Sequence, residues 1–243
     1  MSDLQVVDVF DLDLSKITFL EPRAIGTAKG SRTVGILYDK KRLILQTPRT
    51  RLPFGLQLSY GSDQENPKYV MEMSFGGQEK FLQKMKDFDN FLIEKCVKLS
   101  SEWLREDEVP VDFVKRVYSP NVKYSKDPQT NKPTDKYPPT MRVKVPYKNG
   151  SFLCSVYDEK REAVDLKNKE LTELLTKGAY TETLTSCLGI WLVSGKFGCS
   201  WKVEQMKYST APRLQGYAFL DKNLEMNKIV DMKDDELNFT VEN

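Results

Sequence analysis

Apolar residues recur at every second position in several segments of the chain, and at every third or fourth position in one long stretch. A chain written this way buries one face of several strands against one helix. In residues 68–75 (KYVMEMSF), Tyr69, Met71, Met73 and Phe75 share a face, opposite Lys68, Glu72 and Ser74. Residues 140–147 (TMRVKVPY) repeat the pattern, with Met141, Val143, Val145 and Tyr147 opposite Arg142 and Lys144. Residues 33–46 give two β-rich runs around Asp39-Lys40-Lys41, a hairpin signal, and FGLQLSY from Phe54 gives a further strand. Asn149-Gly150 supplies a turn before SFLCSVYD, and a final β-rich region runs from about 179 to 208 with a break near Gly195. Between Gln78 and Trp103 the period changes: Phe81, Met85, Phe88, Leu92 and Cys96 fall three and four apart, widened by Leu82 and Phe91. That spacing predicts a single amphipathic helix over 78–103, its aromatic stripe in the core and Lys84, Lys86, Lys95 and Lys98 on its wetter sides. Strand signals outnumber helix signals, so the expected fold is mainly β, a barrel or small sandwich with one long inserted helix.

Charge is segregated along the chain. The net charge of the 243 residues is +2, yet residues 1–21 carry five acids and one lysine, and residues 225–243 six acids and two lysines. Each end is therefore at −4, which leaves +10 on residues 22–224. Within that body, residues 22–51 hold eight Lys or Arg against the single acid Asp39. Three segments are expected: an acidic N-terminal segment (1–21), one basic domain (22–224) and an acidic C-terminal tail (225–243). Charged ends keep proteins soluble; a basic body with a polyanion-like tail also fits a polyanion-binding domain.

Several chemistries are excluded by residue type. There is no histidine, which removes His-based triads and the usual general base near neutral pH. Cys96, Cys154, Cys187 and Cys199 form no Cys-x-x-Cys pair, against a zinc ribbon or a thioredoxin-like site and in favour of a reducing, intracellular setting. Gly26–Ser31 and Gly195–Gly198 both lack the spacing of a phosphate-binding P-loop. Asp8, Asp11 and Asp13, and Asp234-Asp235-Glu236, read as solvated acids rather than metal ligands. No basic-then-apolar leader opens the chain, and no apolar run approaches the ~18 residues of a membrane helix. The expectation is a protein without catalytic residues, metal or cofactor, not secreted and not membrane-bound.

What remains is cation and aromatic interleaving. TPRTRLPFGL (residues 47–56) places Arg49, Arg51 and Phe54 within six positions, stiffened by Pro48 and Pro53. Arg142 and Lys144 lie on the outward face of their strand, and residues 195–208 carry Lys196, Lys202, Lys207 and Tyr208. Single-stranded nucleic acid is held by this pair of chemistries, cations along the phosphates and aromatic faces under the bases. On the alternating strand Phe197, Cys199, Trp201 and Val203 share a face, so Trp201 is open to either role, core or base-stacking, while Lys202 on the opposite face meets phosphate. The proline-rich, lysine-bearing run 119–139 is read as a long polar loop that could close over a bound strand.

Two segments carry a resemblance. Thr47-Pro48-x-x-Arg51-x-Pro53-Phe54-Gly55-Leu56 resembles a motif of the single-stranded DNA-binding proteins of nucleocytoplasmic large DNA viruses. Gly189-Ile190-Trp191 through Gly195-Lys196-Phe197-Gly198-Cys199-Ser200-Trp201-Lys202-x-x-Gln205 is similar to that family's C-terminal block, with Tyr137-Pro138-Pro139-Thr140-Met141-x-Val143-Lys144 in order between them. The resemblance spans roughly residues 30–210. It implies an OB-fold-like β-barrel related to the replication protein of short-tailed phages, coating unwound viral DNA in replication and recombination in the host cytoplasm or nucleus. It further implies that the acidic tail (Asp231, Asp234, Asp235, Glu236, Phe239) recruits a viral DNA polymerase or helicase-primase and competes with DNA, and that the protein is a homodimer. Its candidate DNA-binding residues here are Arg51, Phe54, Lys144, Lys196, Trp201 and Lys202; charge placement adds Arg49 and Arg142. The alternatives are a structural or scaffolding β-protein of a virion, and an RNA binder of the same fold.

Overall fold

The computed structural model describes residues 4–26, 30–59, 67–166, 170–211 and 216–219. Residues 1–211 form one compact unit and 212–243 a second. Of the second, Gly216 to Phe219 are described, with Tyr217 and Phe219 exposed and their ring centroids 5.5 Å apart. The tail residues Asp231, Asp234, Asp235, Glu236 and Phe239 lie outside the described residues, as do Gly26–Ser31 in part and residues 60–66.

The compact unit is built on one long hairpin, β18 (Tyr180–Val193) and β19 (Lys196–Ser209). Ser194 and Gly195 turn it with φ of 51° and 71°, the left-handed pair that matches strand twist in a two-residue hairpin. The free edge of β18 is covered in succession by β4 (Arg32–Val34), β6 (Lys41–Gln46) and β7 (Thr50–Arg51). The free edge of β19 is covered by β10 (Tyr118–Ser119), β14 (Thr140–Val145) and β17 (Ser155–Tyr157). Beyond these, β6 pairs with β1 (Leu4–Asp8) and β5 (Ile36–Tyr38), β5 with β2 (Ile17–Phe19), and β4 with β3 (Arg23–Ala24). On the other side β14 pairs with β9 (Tyr69–Ser74) and β11 (Val122–Lys123), and β9 with β8 (Leu56–Leu58). Two small hairpins, β12 (Ser125–Lys126) with β13 (Pro133–Thr134) and β15 (Tyr147–Lys148) with β16 (Ser151–Phe152), stand apart from the main sheet.

The expected mainly β architecture with a long helix inserted between strands is what the chain adopts, as a large mixed sheet. Its main path runs β2-β5-β6-β18-β19-β14-β9-β8, and among the described strands those two ends do not pair, so the sheet is not a closed barrel. The acidic opening segment is part of this sheet through β1 and β2, and Asp8 and Asp13 cap two short 3₁₀ turns, accepting from the backbone N–H groups of Phe10 and Ser15. Two bulges bend the hairpin, between Leu184 and Thr185 and between Cys187 and Ile190. The second requires Gly189: its φ is +94°, and a Cβ there would collide with the Val34 carbonyl oxygen.

The helix is shorter than its period suggests. α1 spans Glu79–Lys98, and Leu99 (φ −116°, ψ 28°) interrupts it before α2 (Ser100–Trp103). Phe81, Met85, Phe88, Leu92 and Cys96 are all buried against the sheet, as the stripe requires. A further short helix, α3 (Val111–Val117), follows Pro110; seven residues are too few to show a period. The polar run 119–139 is not a free loop, since β11 joins it to the sheet and β12–β13 folds part of it back. α4 (Leu171–Leu174) precedes the long hairpin. All four cysteines are thiols, and burial pushes that of Cys96 up to about 12.

A buried polar network fixes α1 to the sheet. Asp89, 6% exposed, accepts hydrogen bonds from the Tyr118 hydroxyl (2.6 Å), the Asn121 backbone N–H (2.9 Å), the Asn121 Nδ2 (2.7 Å) and the Val122 N–H (3.1 Å). Asn121 Oδ1 in turn accepts from Trp201 Nε1 at 2.9 Å. Burial holds the Tyr118 hydroxyl well above the ordinary tyrosine range, with the Asp89 charge adding to it, so it stays a donor. Asp89→Ala strips four buried donors of their acceptor and is expected to cost about 3 kcal/mol, the upper end for unmet buried groups. The check is a denaturant midpoint that falls with an unchanged slope.

Candidate nucleic-acid interface

Strand alternation decides which face each cation takes. In β19, Phe197, Trp201 and Val203 point into the core, so Gly198, Ser200 and Lys202 point away from it. In β14, Met141, Val143 and Val145 are buried and Arg142 and Lys144 exposed. Pairing then places these outward residues in one cross-strand row: Ile44, Ser186, Lys202, Lys144, Val70 and Gln57.

Lys144 and Lys202 are direct Cα partners on adjacent strands. Like charges opposite one another destabilise a sheet, and here the Lys202 ammonium is met by Glu204 at 3.1 Å. Desolvation lowers the pKa of Lys144, and the charge of Lys68 adds to it. Lys123, on β11, is lowered first by desolvation; Asp89 opposes this, while Lys126 and Arg142 push the same way. Arg42 completes the group, donating to Ser186 Oγ at 2.9 Å and to Glu204 Oε1 at 2.8 Å.

Two carboxylates lie among these five cations. Glu204 bridges Arg42 (2.8 Å) and Lys202 (3.1 Å), and Glu72 accepts from the Thr140 hydroxyl at 2.8 Å. Arg142 and Lys144 form no ion pair among the described residues.

The remaining candidates lie at the two ends of the same hairpin. Lys196 opens β19 at its turn, six residues from Lys202, or roughly 20 Å along a strand. At the other end, Arg49 lies 4.2 Å over the Tyr180 ring and donates to Ser209 Oγ at 2.8 Å. Arg51 is the Cα partner of Tyr180, and both arginines are exposed on either side of the buried Thr50. Phe54 is 54% exposed, beside Gly55 in a loop that approaches the Leu175 backbone. Lys207 is paired with Glu182 at 2.8 Å. The chain therefore divides its candidates into a central group, Arg142, Lys144 and Lys202, and two flanking ones.

Trp201 takes the core alternative. It is 1% exposed, packs 5.5 Å from the Phe88 ring and spends its N–H on Asn121, so no base reaches its face. Arg42 and Lys123 were not legible as site residues. Only pairings between strands distant in sequence, β6 with β18 and β11 with β14, bring them beside Lys202 and Arg142.

No protein-family model and no curated protein matches the chain. Among solved structures it is similar to the single-stranded DNA-binding protein from bacteriophage Enc34 in complex with ssDNA, at 12% identity and a TM-score of 0.44, covering 81% of this chain and 98% of that one. It is also similar to gp2.5, a single-stranded DNA binding protein encoded by bacteriophage T7, at 12% identity and a TM-score of 0.42, covering 76% and 94%. Likeness this distant assigns neither residue nor ligand here.

Burial pushes the Glu204 carboxyl up, but hydrogen bonds from Ser186 and Lys202 and the charges of Lys202 and Arg42 outweigh it, leaving the pKa lowered. A carboxyl whose folded pKa lies below its unfolded value, about 4.3, stabilises the fold above that pH and loses the contribution as pH falls through the folded value. Glu204→Gln is expected to remove this component, seen as a loss of no more than about 1 kcal/mol at neutral pH and a correspondingly shallower fall in stability below about pH 4.

Proposed function

We propose that this chain is a non-enzymatic, sequence-tolerant single-stranded DNA-binding protein of viral DNA replication and recombination, of the kind encoded by nucleocytoplasmic large DNA viruses. The observation that carries the reading is the central cation group, Arg42, Lys123, Arg142, Lys144 and Lys202 against Glu72 and Glu204, drawn from five strands onto one sheet face. A phosphate backbone supplies the counter-charge for Lys144 and Arg142, which form no ion pair among the described residues. The lysines of α1 do not make a comparable surface, because Glu79, Asp87 and Glu94 are interleaved with them.

In this reading the phosphates run along the outer face of the hairpin, from Lys196 past Lys202 and Lys144 to Arg49 and Arg51, with Phe54 beneath a base at the far end. The acidic tail, including Asp231, Asp234, Asp235, Glu236 and Phe239, competes for the same cations and recruits a polymerase or helicase-primase. The protein works as a homodimer at viral replication sites inside the host cell. Among the described residues no helix is long and apolar enough to cross a membrane.

The test is titration of the full chain with oligo-dT, oligo-rU and duplex of equal length at several salt concentrations. Oligo-dT is expected to bind most tightly, with log affinity falling linearly against log salt, and Lys144→Ala is expected to weaken it and flatten that slope by about 0.7, one phosphate's share on a single strand. A flat salt response, or equal binding of duplex, contradicts the reading; preference for oligo-rU transfers the site to RNA.

A further inference from the structure

The three tryptophans are placed differently. Trp103 and Trp201 are each 1% exposed and belong to the core, where Trp103 meets Phe19 and Phe197 and Trp201 meets Phe88. Trp191 lies between Ile190 and Leu192, both buried, and so takes the opposite face of β18. It is half-buried and is neither in the core cluster nor among the apolar residues packed against it. Its indole N–H meets no acceptor among the described residues.

Its surroundings are flat. The cross-strand row through Trp191 reads Arg23, Thr33, Trp191, Gly198 and Ser119. A Cβ at Gly198 would lie 2.7 Å from Trp191 Cζ2 and 3.0 Å from its Cε2, so the indole rests directly over the glycine. No member of that row is a carboxylate. Lys123 reaches into it, its ammonium donating to Ser119 Oγ at 2.9 Å. Lys202 stands four residues further along β19 than Gly198, about 13 Å on the same face.

A large ring left on an open sheet face, with small residues beside it and cations around it, suits a planar uncharged group joined to a chain of anions. We propose that Trp191 is the stacking platform for a base of single-stranded DNA, set between the phosphate contacts of Lys196 and those of Lys123 and Lys202. This inference rests on the single-stranded DNA reading above. It gives the middle of the path an aromatic contact, the place that Trp201 cannot fill from the core.

The experiment follows tryptophan emission of the full chain during titration with oligo-dT, alongside affinity by an independent anisotropy readout. With Trp103 and Trp201 sealed in the core, quenching of the wild-type protein is expected to come from Trp191 and to vanish in Trp191→Phe, which keeps a ring and binds within a few-fold of wild type. Trp191→Ala is expected to bind roughly 5- to 150-fold more weakly, the range for loss of one base–aromatic stack, with an unchanged melting transition. If Trp191→Ala melts early, the Trp191→Phe quenching result decides. Binding that leaves wild-type emission unchanged, or quenching that persists in Trp191→Phe, overturns the role of Trp191 and leaves the DNA reading standing. Wild-type protein that does not bind oligo-dT at all overturns both. If Trp191→Ala binds DNA as wild type but alters self-association, the ring belongs to a protein contact and the inference fails.

Discussion

One buried carboxylate sets the geometry of the molecule. Asp89 gathers the Tyr118 hydroxyl and the Asn121 and Val122 backbone onto α1, and Asn121 passes the connection to Trp201 on β19. An uncompensated carboxylate would not be tolerated at that depth, and four donors make it a fixed point. Because side chains alternate along a strand, seating Trp201 in the core obliges Lys202 to face away from it. The same constraint, transmitted across the sheet by pairing, puts Lys144 beside Lys202 and Arg142 two positions along.

The outer face is consequently held in an electrostatically unfavourable state. Lys144 and Lys202 oppose each other, and desolvation lowers the pKa of both Lys123 and Lys144. Glu204 offsets part of this by pairing with Arg42 and Lys202, while Lys144 and Arg142 form no ion pair among the described residues and Glu72 faces Arg142 from β9. In the DNA-binding reading proposed above, a polyanion completes such a surface. Rigid strands rather than loops carry the central charges, so the site is formed before any ligand arrives.

Much of this was legible in the sequence where a local signal existed. Alternation in residues 140–145 assigned Arg142 and Lys144 to the outward face, and the two-residue turns at Asp39-Lys40, Asn149-Gly150 and Ser194-Gly195 sit where the sequence signals them, with positive φ at each position. The stripe from Phe81 to Cys96 gave the core face of α1, but its end did not, because the apolar spacing continues through Leu99 to Trp103 while the backbone breaks. Trp201 was ambiguous because alternation marks a shared face without saying which face meets the helix. Arg42 and Lys123 were invisible as partners of Lys202 and Arg142, since neither strand pairing nor a bulge at Gly189 can be read from one strand alone.

The most direct measurement of the central claim is lysine acetylation of the folded protein with and without saturating oligo-dT, read residue by residue by mass spectrometry. If unpaired DNA lies across the outer sheet face, Lys123, Lys144 and Lys202 become protected while Lys80 and Lys98 on α1 react as before. Protection confined to the lysines of α1, or spread evenly over both sets, would contradict the account.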